Sequence, residues 1–120
     1  MENKIDTYGI ENVNFSMIEK DDNRWDLFKQ QRLERGFDDS ELWNLDFTIA
    51  KFILPRLIAF RQDLISHPCG MTLKDWETIL DTMIYSFDAI VKDDKELHDN
   101  FEKVKVGLDN FIKYYFNLWD

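Results

Sequence analysis

The sequence predicts an all-α fold: a small antiparallel four-helix bundle or an irregular helical domain, with a poorly regular N-terminal arm. Apolar residues recur at helical intervals in four segments from about residue 23, and short turns separate these segments. Residues 1–21 keep no such period and mix Asn, Gly and Asp with isolated apolar residues. We therefore predict an arm over residues 1–22 and one helical domain over residues 23–120.

The first two helices are predicted on either side of Gly36. RWDLFKQQRLER, residues 24–35, forms the first, and Gly36 is well placed to end it in a left-handed conformation. The second begins at Asp39 or Ser40, and its apolar arc of about 240° indicates a central helix or one with a flank at an interface. Pro55 falls on the polar strip of this helix, which favours a kink within one helix over a break after Leu54.

The start of the third helix carries the clearest local signal. Thr72 and Asp75 fit a capping box, and Met71 and Trp76 occupy the positions of a hydrophobic staple, so this helix begins at Leu73. Its predicted buried face consists of Leu73, Trp76, Leu80, Met83, Ile84, Phe87 and Val91. Asp93 or Asp94 caps a fourth helix that runs almost to the last residue, with a face made of Leu97, Phe101, Val104, Leu108, Phe111, Ile112, Tyr115 and Trp119.

Charge and composition limit the classes of function. The formal net charge of −9 argues against binding to a nucleic acid backbone, which needs a basic face. Many of the acids fall at predicted helix starts, where they complement the helix dipole, and this explains them better than mimicry of nucleic acid. One cysteine and no long apolar run near the N-terminus predict a protein of the reducing cytoplasm with no membrane span.

Asp46 and the first helix form one candidate site. On a helical wheel Asp46 falls between Leu42 and Ile53, so we predict that it points into the core and pairs with a basic group. The first helix offers Arg24, Lys29, Arg32 and Arg35 against two acids. One of these arginines would pair with Asp46 in a structural ion pair; a ligand-reading role for Asp46 is the alternative. The remaining bases would bind an anion or a partner, or neutralise the surrounding acids.

A weaker candidate is a metal site on the third helix. Glu77, Asp81 and Asp88 lie within about 40° of one another, and carboxylates so arranged could hold Mg²⁺ or Mn²⁺ if another helix added ligands. A solvated acidic edge explains these three acids better than a metal site does.

His67 and Cys69, two residues apart in a Pro-Gly turn, match neither a zinc site nor a Cys-His nucleophile. Since no catalytic motif is present, the sequence leans away from an enzyme.

Three stretches carry a resemblance: ERGFDDSELWNLDFTIAKFILPRLIAF, CGMTLKDWETILDTMIYSFD and the ending YYFNLWD. Over about residues 24–120 the chain resembles a group of short hypothetical proteins encoded by tailed bacteriophages. The resemblance implies a setting, the cytoplasm of an infected bacterium. It implies no activity and no catalytic residue. Small acidic proteins of this kind are often effectors that bind host machinery or antagonise host defence.

The leading interpretation is a non-enzymatic interaction protein with no expected cofactor, which binds a host or phage protein or itself. Its candidate binding residues are Arg24, Lys29, Arg32, Arg35, Trp43 and Asp46. The alternative is a small-ligand or metal-dependent nucleotide-handling bundle, and it would add Mg²⁺ or Mn²⁺ held by Glu77, Asp81 and Asp88. A structural role in the virion is a third possibility, on which the sequence is silent.

Overall fold

The computed structural model describes residues 15–92 and 94–119, and its regular structure there is entirely helical. The helices are α1 (Trp25–Arg35), α2 (Leu45–Gln62), α3 (Leu73–Lys92), α4 (Asp94–Asp99) and α5 (Phe101–Lys113), with 3₁₀ turns at Asp39–Leu42 and Tyr115–Asn117. The predicted all-α class is confirmed. The chain forms two compact units, Met1–Thr48 and Ile49–Asp120, which are described separately. The predicted boundary between residues 22 and 23 stays a prediction.

The described part of the N-terminal arm, residues 15–22, contains no helix or strand. The rest of the predicted arm lies outside the described residues. The backbone N–H of Met17 donates to the Ser40 hydroxyl at 2.8 Å, and Ile18 is buried. This part of the arm is therefore attached to the 3₁₀ turn of the first unit.

Helix α1 ends as predicted. Gly36 adopts a left-handed conformation with a φ of 88°, and its N–H donates to the Arg32 carbonyl at 2.9 Å. Glycine reaches this conformation without the steric cost of a Cβ, which explains why the chain can turn there and lead into the 3₁₀ segment.

The predicted start of the second helix at Asp39 or Ser40 is wrong. A capping box built on Asp38 and Glu41 closes a 3₁₀ turn there instead, and α2 begins only at Leu45. Ser40 N–H donates to the Asp38 carboxylate at 2.9 Å, while Asp38 N–H donates to the Glu41 carboxylate at 2.9 Å. Because these local bonds satisfy the backbone within four residues, the turn closes before an α-helix forms.

Helix α2 continues through Pro55, which is exposed, so the alternative break after Leu54 does not occur. The helix buries Ala50, Leu54 and Leu57, whereas Ile49 and Phe52 are about half exposed. The buried face is thus rotated by roughly 80° from the face predicted on the wheel.

The core of the second unit consists of α2 and α3 side chains. Its fully or nearly buried members are Ala50, Leu54, Leu57, Trp76, Leu80, Met83 and Phe87. The predicted capping box at the start of α3 is confirmed: Asp75 N–H donates to the Thr72 hydroxyl at 3.1 Å, and Thr72 N–H donates to the Asp75 carboxylate at 3.2 Å. Met71 packs against the same core as Trp76. Leu73, predicted to be buried, is exposed, because it lies at the first position of the helix.

Helices α3 and α5 approach each other closely at Gly107. A Cβ placed on Gly107 would lie 1.9 Å from the Ser86 hydroxyl oxygen and 2.1 Å from the Thr82 carbonyl oxygen. Ser86 is fully buried, and its hydroxyl donates to the Val104 carbonyl at 2.5 Å. Asn110 adds a bond from its side-chain amide to the Thr82 hydroxyl at 2.9 Å. Glycine at position 107 therefore permits a backbone contact that no other residue type allows.

The predicted single fourth helix is wrong. It divides into α4 and α5 at Asn100, whose φ of −121° and ψ of 40° are not helical, and α5 ends at Lys113. Asp93, one of its two predicted caps, lies outside the described residues. Val104 is the one member of the predicted face that is buried; Phe101, Ile112, Tyr115 and Trp119 are exposed.

None of the helices in the described ranges combines the length and apolar content needed to cross a bilayer.

Candidate functional site

One arginine of α1 does hold a buried carboxylate, but the pair consists of Arg32 and Asp38, and Asp46 takes no part in it. The Arg32 Nη1 donates to the Asp38 Oδ2 at 2.5 Å, and the relative exposures of the two residues are 7% and 0%. The other Asp38 oxygen accepts from the Ser40 hydroxyl at 2.5 Å and from the Ser40 N–H. Burial opposes ionisation of Asp38, but the hydrogen bonds from Ser40, Ser16 and Arg32 outweigh it and lower the pKa of this carboxyl.

This pair was missed, although the sequence carries a signal for it. Asp38 and Glu41 have the spacing of a capping box, in which the first residue turns its carboxylate back onto the chain. The guanidinium Nε of Arg32 is buried and has no hydrogen-bond partner in the part of the chain that the structure describes. The Arg32 side chain is enclosed on a second side by the Trp25 ring, at 5.7 Å from the guanidinium carbon. Arg32 is therefore a structural residue of the first unit.

Asp46 does not point into the core; that prediction is wrong. It is exposed and lies in the first turn of α2, where a carboxylate interacts favourably with the helix dipole. The predicted ion pair between Asp46 and an arginine of the first helix is absent from the described residues.

The Asp46→Ala variant is accordingly expected to change the free energy of unfolding by no more than about 0.5 kcal/mol. Removing an exposed carboxylate leaves no buried charge and opens no cavity, and the loss is limited to the dipole interaction. Urea denaturation of the two proteins checks this result. A loss of several kcal/mol would mean that Asp46 is buried after all.

Two further bases, Arg24 at the N-cap of α1 and Arg35 in its last turn, are held by neighbouring acids. Arg24 pairs with Asp22 at 2.9 Å, and this hydrogen bond lowers the pKa of Asp22 to about 2. Arg35 pairs with Asp39 at 2.6 Å. Together with the buried pair of Arg32, these contacts leave Lys29, which is half-buried, as the one predicted base without an acid partner among the described residues. Three of the four predicted bases thus neutralise adjacent acids, and the predicted binding of an anion or a partner by these residues stays a prediction.

An exposed apolar surface lies beside α1 in the first unit. We call Leu42, Trp43 and Leu45, together with the guanidinium of Arg24, the Trp43 surface; each of the three apolar side chains is about half exposed. The Arg24 guanidinium carbon lies 5.2 Å from the Trp43 ring centre, and the Phe28 ring contacts Trp43 edge-on at 6.1 Å. Since Phe28 is buried, it holds one edge of the indole in place and leaves the rest open to solvent.

The acids of α3 do not meet at a metal-binding geometry. Glu77 and Asp81 both contact Arg61 of α2, at 3.5 and 3.0 Å, and Asp88 pairs with Lys92 at 2.9 Å. The guanidinium already supplies the positive charge that an ion would bring. No group of three His, Cys, Asp or Glu side chains in the two described ranges is placed to bind a metal. These acids fit the solvated acidic edge better than the metal site.

The pocket beside the turn between α2 and α3 has a volume of about 170 Å³. It is lined by Ser66, His67, Pro68, Trp76, Asn117 and Trp119. The His67 ring nitrogen Nδ1 lies 3.0 Å from the Pro68 carbonyl, and Cys69 is exposed nearby in the sequence. Among the residues that the structure describes, no acid contacts the imidazole and no ion pair reaches the Cys69 thiol, so these residues do not show a nucleophile paired with a general base.

Comparison with protein-family models, with curated proteins and with solved structures found no match to this chain.

Proposed function

We propose that the protein is a non-enzymatic interaction protein that binds a protein partner through the Trp43 surface. The observation that carries the proposal is the state of Trp43, which is 51% exposed although Phe28 and Arg24 hold its ring. Tryptophan and arginine are the side chains most often found at the energetic centre of protein interfaces. A ring that is already positioned loses little conformational entropy when a partner covers it.

The chemistry of the surface defines the partner. Asp22 neutralises Arg24, so the surface is apolar with little net charge, and it suits a partner with an apolar pocket wide enough for an indole. The resemblance to hypothetical proteins of tailed phages supports a partner from a phage or its bacterial host, met in the cytoplasm of the infected cell. Binding to host machinery and antagonism of host defence both fit this setting, and neither requires a cofactor.

The proposal predicts that a host protein is captured by the wild-type chain and lost with Trp43→Ala. The substitution removes the ring and its contact with the Arg24 guanidinium, so affinity should fall by at least about 30-fold, the effect of a central aromatic residue. Pull-down from a bacterial lysate with quantitative mass spectrometry identifies the protein, and calorimetry with the purified partner measures the affinity.

The matched control is Ile65→Ala, since Ile65 is 84% exposed in the turn after α2 and is not part of the Trp43 surface. It should capture the same protein as wild type. The role of this surface would be refuted if Trp43→Ala captured the protein as well as wild type does. It would also be refuted if Trp43→Ala and Ile65→Ala lost capture to the same extent. Circular dichroism of each variant shows whether its helices are intact.

A further inference from the structure

A groove runs along one side of the contact between α3 and α5 in the second unit. Its volume is about 360 Å³, and the residues that line it are Thr78, Asp81, Thr82, Tyr85, Lys103 and Val106. The four residues from α3 are three or four positions apart, so they share one face of that helix and extend over about 10 Å of its length. We call this the Tyr85 groove, and it shares no residue with the Trp43 surface.

The wall of the Tyr85 groove is more apolar than its residue types suggest, because their hydroxyl groups already donate hydrogen bonds within the protein. The hydroxyls of Thr78 and Thr82 each donate to a backbone carbonyl of α3, at 3.0 and 2.6 Å. The Tyr85 hydroxyl donates to the Glu96 carboxylate. These three residues therefore offer a ligand mainly methyl groups and an aromatic ring, beside the half-exposed side chain of Val106.

Lys103 places a positive charge at this apolar wall. Its ammonium lies 4.3 Å from the centre of the Tyr85 ring, a contact that holds the flexible side chain beside the groove. It makes no ion pair with any residue that the structure describes, whereas Asp81, the acid of the groove, is in contact with Arg61 at 3.0 Å. The groove thus combines an apolar wall with one cation that remains available to an anion.

We infer that the Tyr85 groove binds a small amphiphilic carboxylate. The ammonium of Lys103 takes the carboxylate group, because it carries three N–H donors and forms its strongest hydrogen bonds with anions. The apolar body of the ligand lies along the Tyr85 ring and Val106. A volume of about 360 Å³ and an apolar wall with few charged groups are typical of small-molecule sites. This inference does not rest on the Trp43 surface, because it concerns the other unit and another class of ligand.

Titration of the isotope-labelled full chain with octanoate, followed by NMR of the backbone amides, tests the site. We expect saturable shift changes at Tyr85, Lys103 and Val106, with a dissociation constant on the order of 0.1 to 1 mM for a ligand of this size. The inference would be overturned if about 10 mM octanoate caused no saturable change. It would also be overturned if the changes were confined to other exposed apolar residues, such as Phe116.

Lys103→Met tests the role of the charge, since it removes the ammonium and keeps a flexible apolar stem. The side chain is exposed, so folding should be unaffected. Octanoate should bind about tenfold more weakly, whereas octanamide, which has the same chain and no charge, should bind wild type and Lys103→Met equally. Lys105→Met is the matched control, because Lys105 lies on the opposite side of α5 and outside the groove. It should bind octanoate as wild type does.

Two results would contradict the assignment of the carboxylate to Lys103. One is unchanged octanoate affinity in Lys103→Met, and the other is an equal loss of octanoate and octanamide. Val106→Asp tests the apolar wall, because it places a negative charge where the body of the ligand lies, and it should reduce octanoate binding by more than about tenfold. Circular dichroism shows whether the helices of this variant are intact. Octanoate affinity equal to that of wild type would exclude Val106 from the site.

Discussion

Gly107→Ala is expected to lower the free energy of unfolding by at least about 2 kcal/mol, although alanine is intrinsically the better helix former by about 1 kcal/mol. The new methyl group would lie 1.9 Å from the Ser86 hydroxyl oxygen and 2.1 Å from the Thr82 carbonyl oxygen. Ser86 could rotate away, but the carbonyl belongs to the backbone of α3 and cannot move without shifting the helix. Helices α3 and α5 must therefore separate, and the bond from Ser86 to the Val104 carbonyl is lost with them.

Thermal unfolding followed by circular dichroism measures the effect, and a loss of this size lowers Tm by about 10 °C for a chain of this length. Asp109→Ala is the matched control, since it introduces the same residue on the exposed side of α5 and should be near neutral. Ser86→Ala combined with Gly107→Ala removes only the hydroxyl contact and leaves the Thr82 carbonyl oxygen at 2.1 Å and the Cβ of residue 86 at 2.7 Å, so it should not recover wild-type stability. A Gly107→Ala Tm within about 2 °C of wild type would contradict the close approach of the two helices.

Asp38→Ala is expected to cost about 3 to 5 kcal/mol, the range found when one member of a buried ion pair is removed. The substitution leaves the Arg32 guanidinium 7% exposed with no anion beside it, and it removes the cap of the 3₁₀ turn at Ser40. Urea denaturation gives the free energy directly. The double variant Arg32→Met/Asp38→Asn should be more stable than Asp38→Ala, because it removes the buried charge and keeps a capping oxygen.

The dependence of folding stability on pH gives a second test of the Arg32–Asp38 pair. Since folding lowers the pKa of Asp38, its stabilising effect is complete above the pKa of the unfolded chain and is lost as the pH falls through the lower folded pKa. Wild type should therefore lose more stability than Asp38→Asn as the pH falls below about 4. Parallel acid profiles for the two proteins would show that the carboxylate is not held in its charged form.

The features that the sequence predicted correctly are local ones. The capping box of Thr72 and Asp75 and the left-handed end of α1 at Gly36 depend on residues within four positions of one another, and no tertiary contact is needed to satisfy them. The same kind of signal was present at Asp38 and Glu41. There it formed a 3₁₀ turn, because the spacing specifies a closed turn and does not specify that an α-helix follows at once.

The orientation of α2 could not be predicted from its residues. An apolar arc of about 240° fits several buried faces, and the chain uses the one that contains the small residue Ala50. Arg61 borders this face because Glu77 and Asp81 of α3 compensate its charge, and that contact spans sixteen residues or more of sequence. The prediction for Asp46 is wrong for the same reason, because the centre of the apolar arc is not the centre of the buried face.

Periodicity predicts a buried face for α5 but does not determine what covers that face. Phe101 and Ile112 have the spacing of core residues, yet α3 packs against Val104 and Gly107 instead. Because Gly107 has no Cβ, α3 packs closely against the side of α5 that contains Val104 and Gly107. The adjacent side of α5, with Phe101 and Ile112, is left exposed. A side chain that fits a core by pattern can thus be exposed on the surface.

Pro55 divides α2 into two segments. A proline has no N–H, so the helix lacks one backbone hydrogen bond at this turn, on the side that faces water. Ala50 and Leu54 anchor the segment before it to the same core that Leu57 contacts after it. The missing bond uncouples the two segments, so the turns before and after Pro55 can open and exchange their amide hydrogens independently of each other.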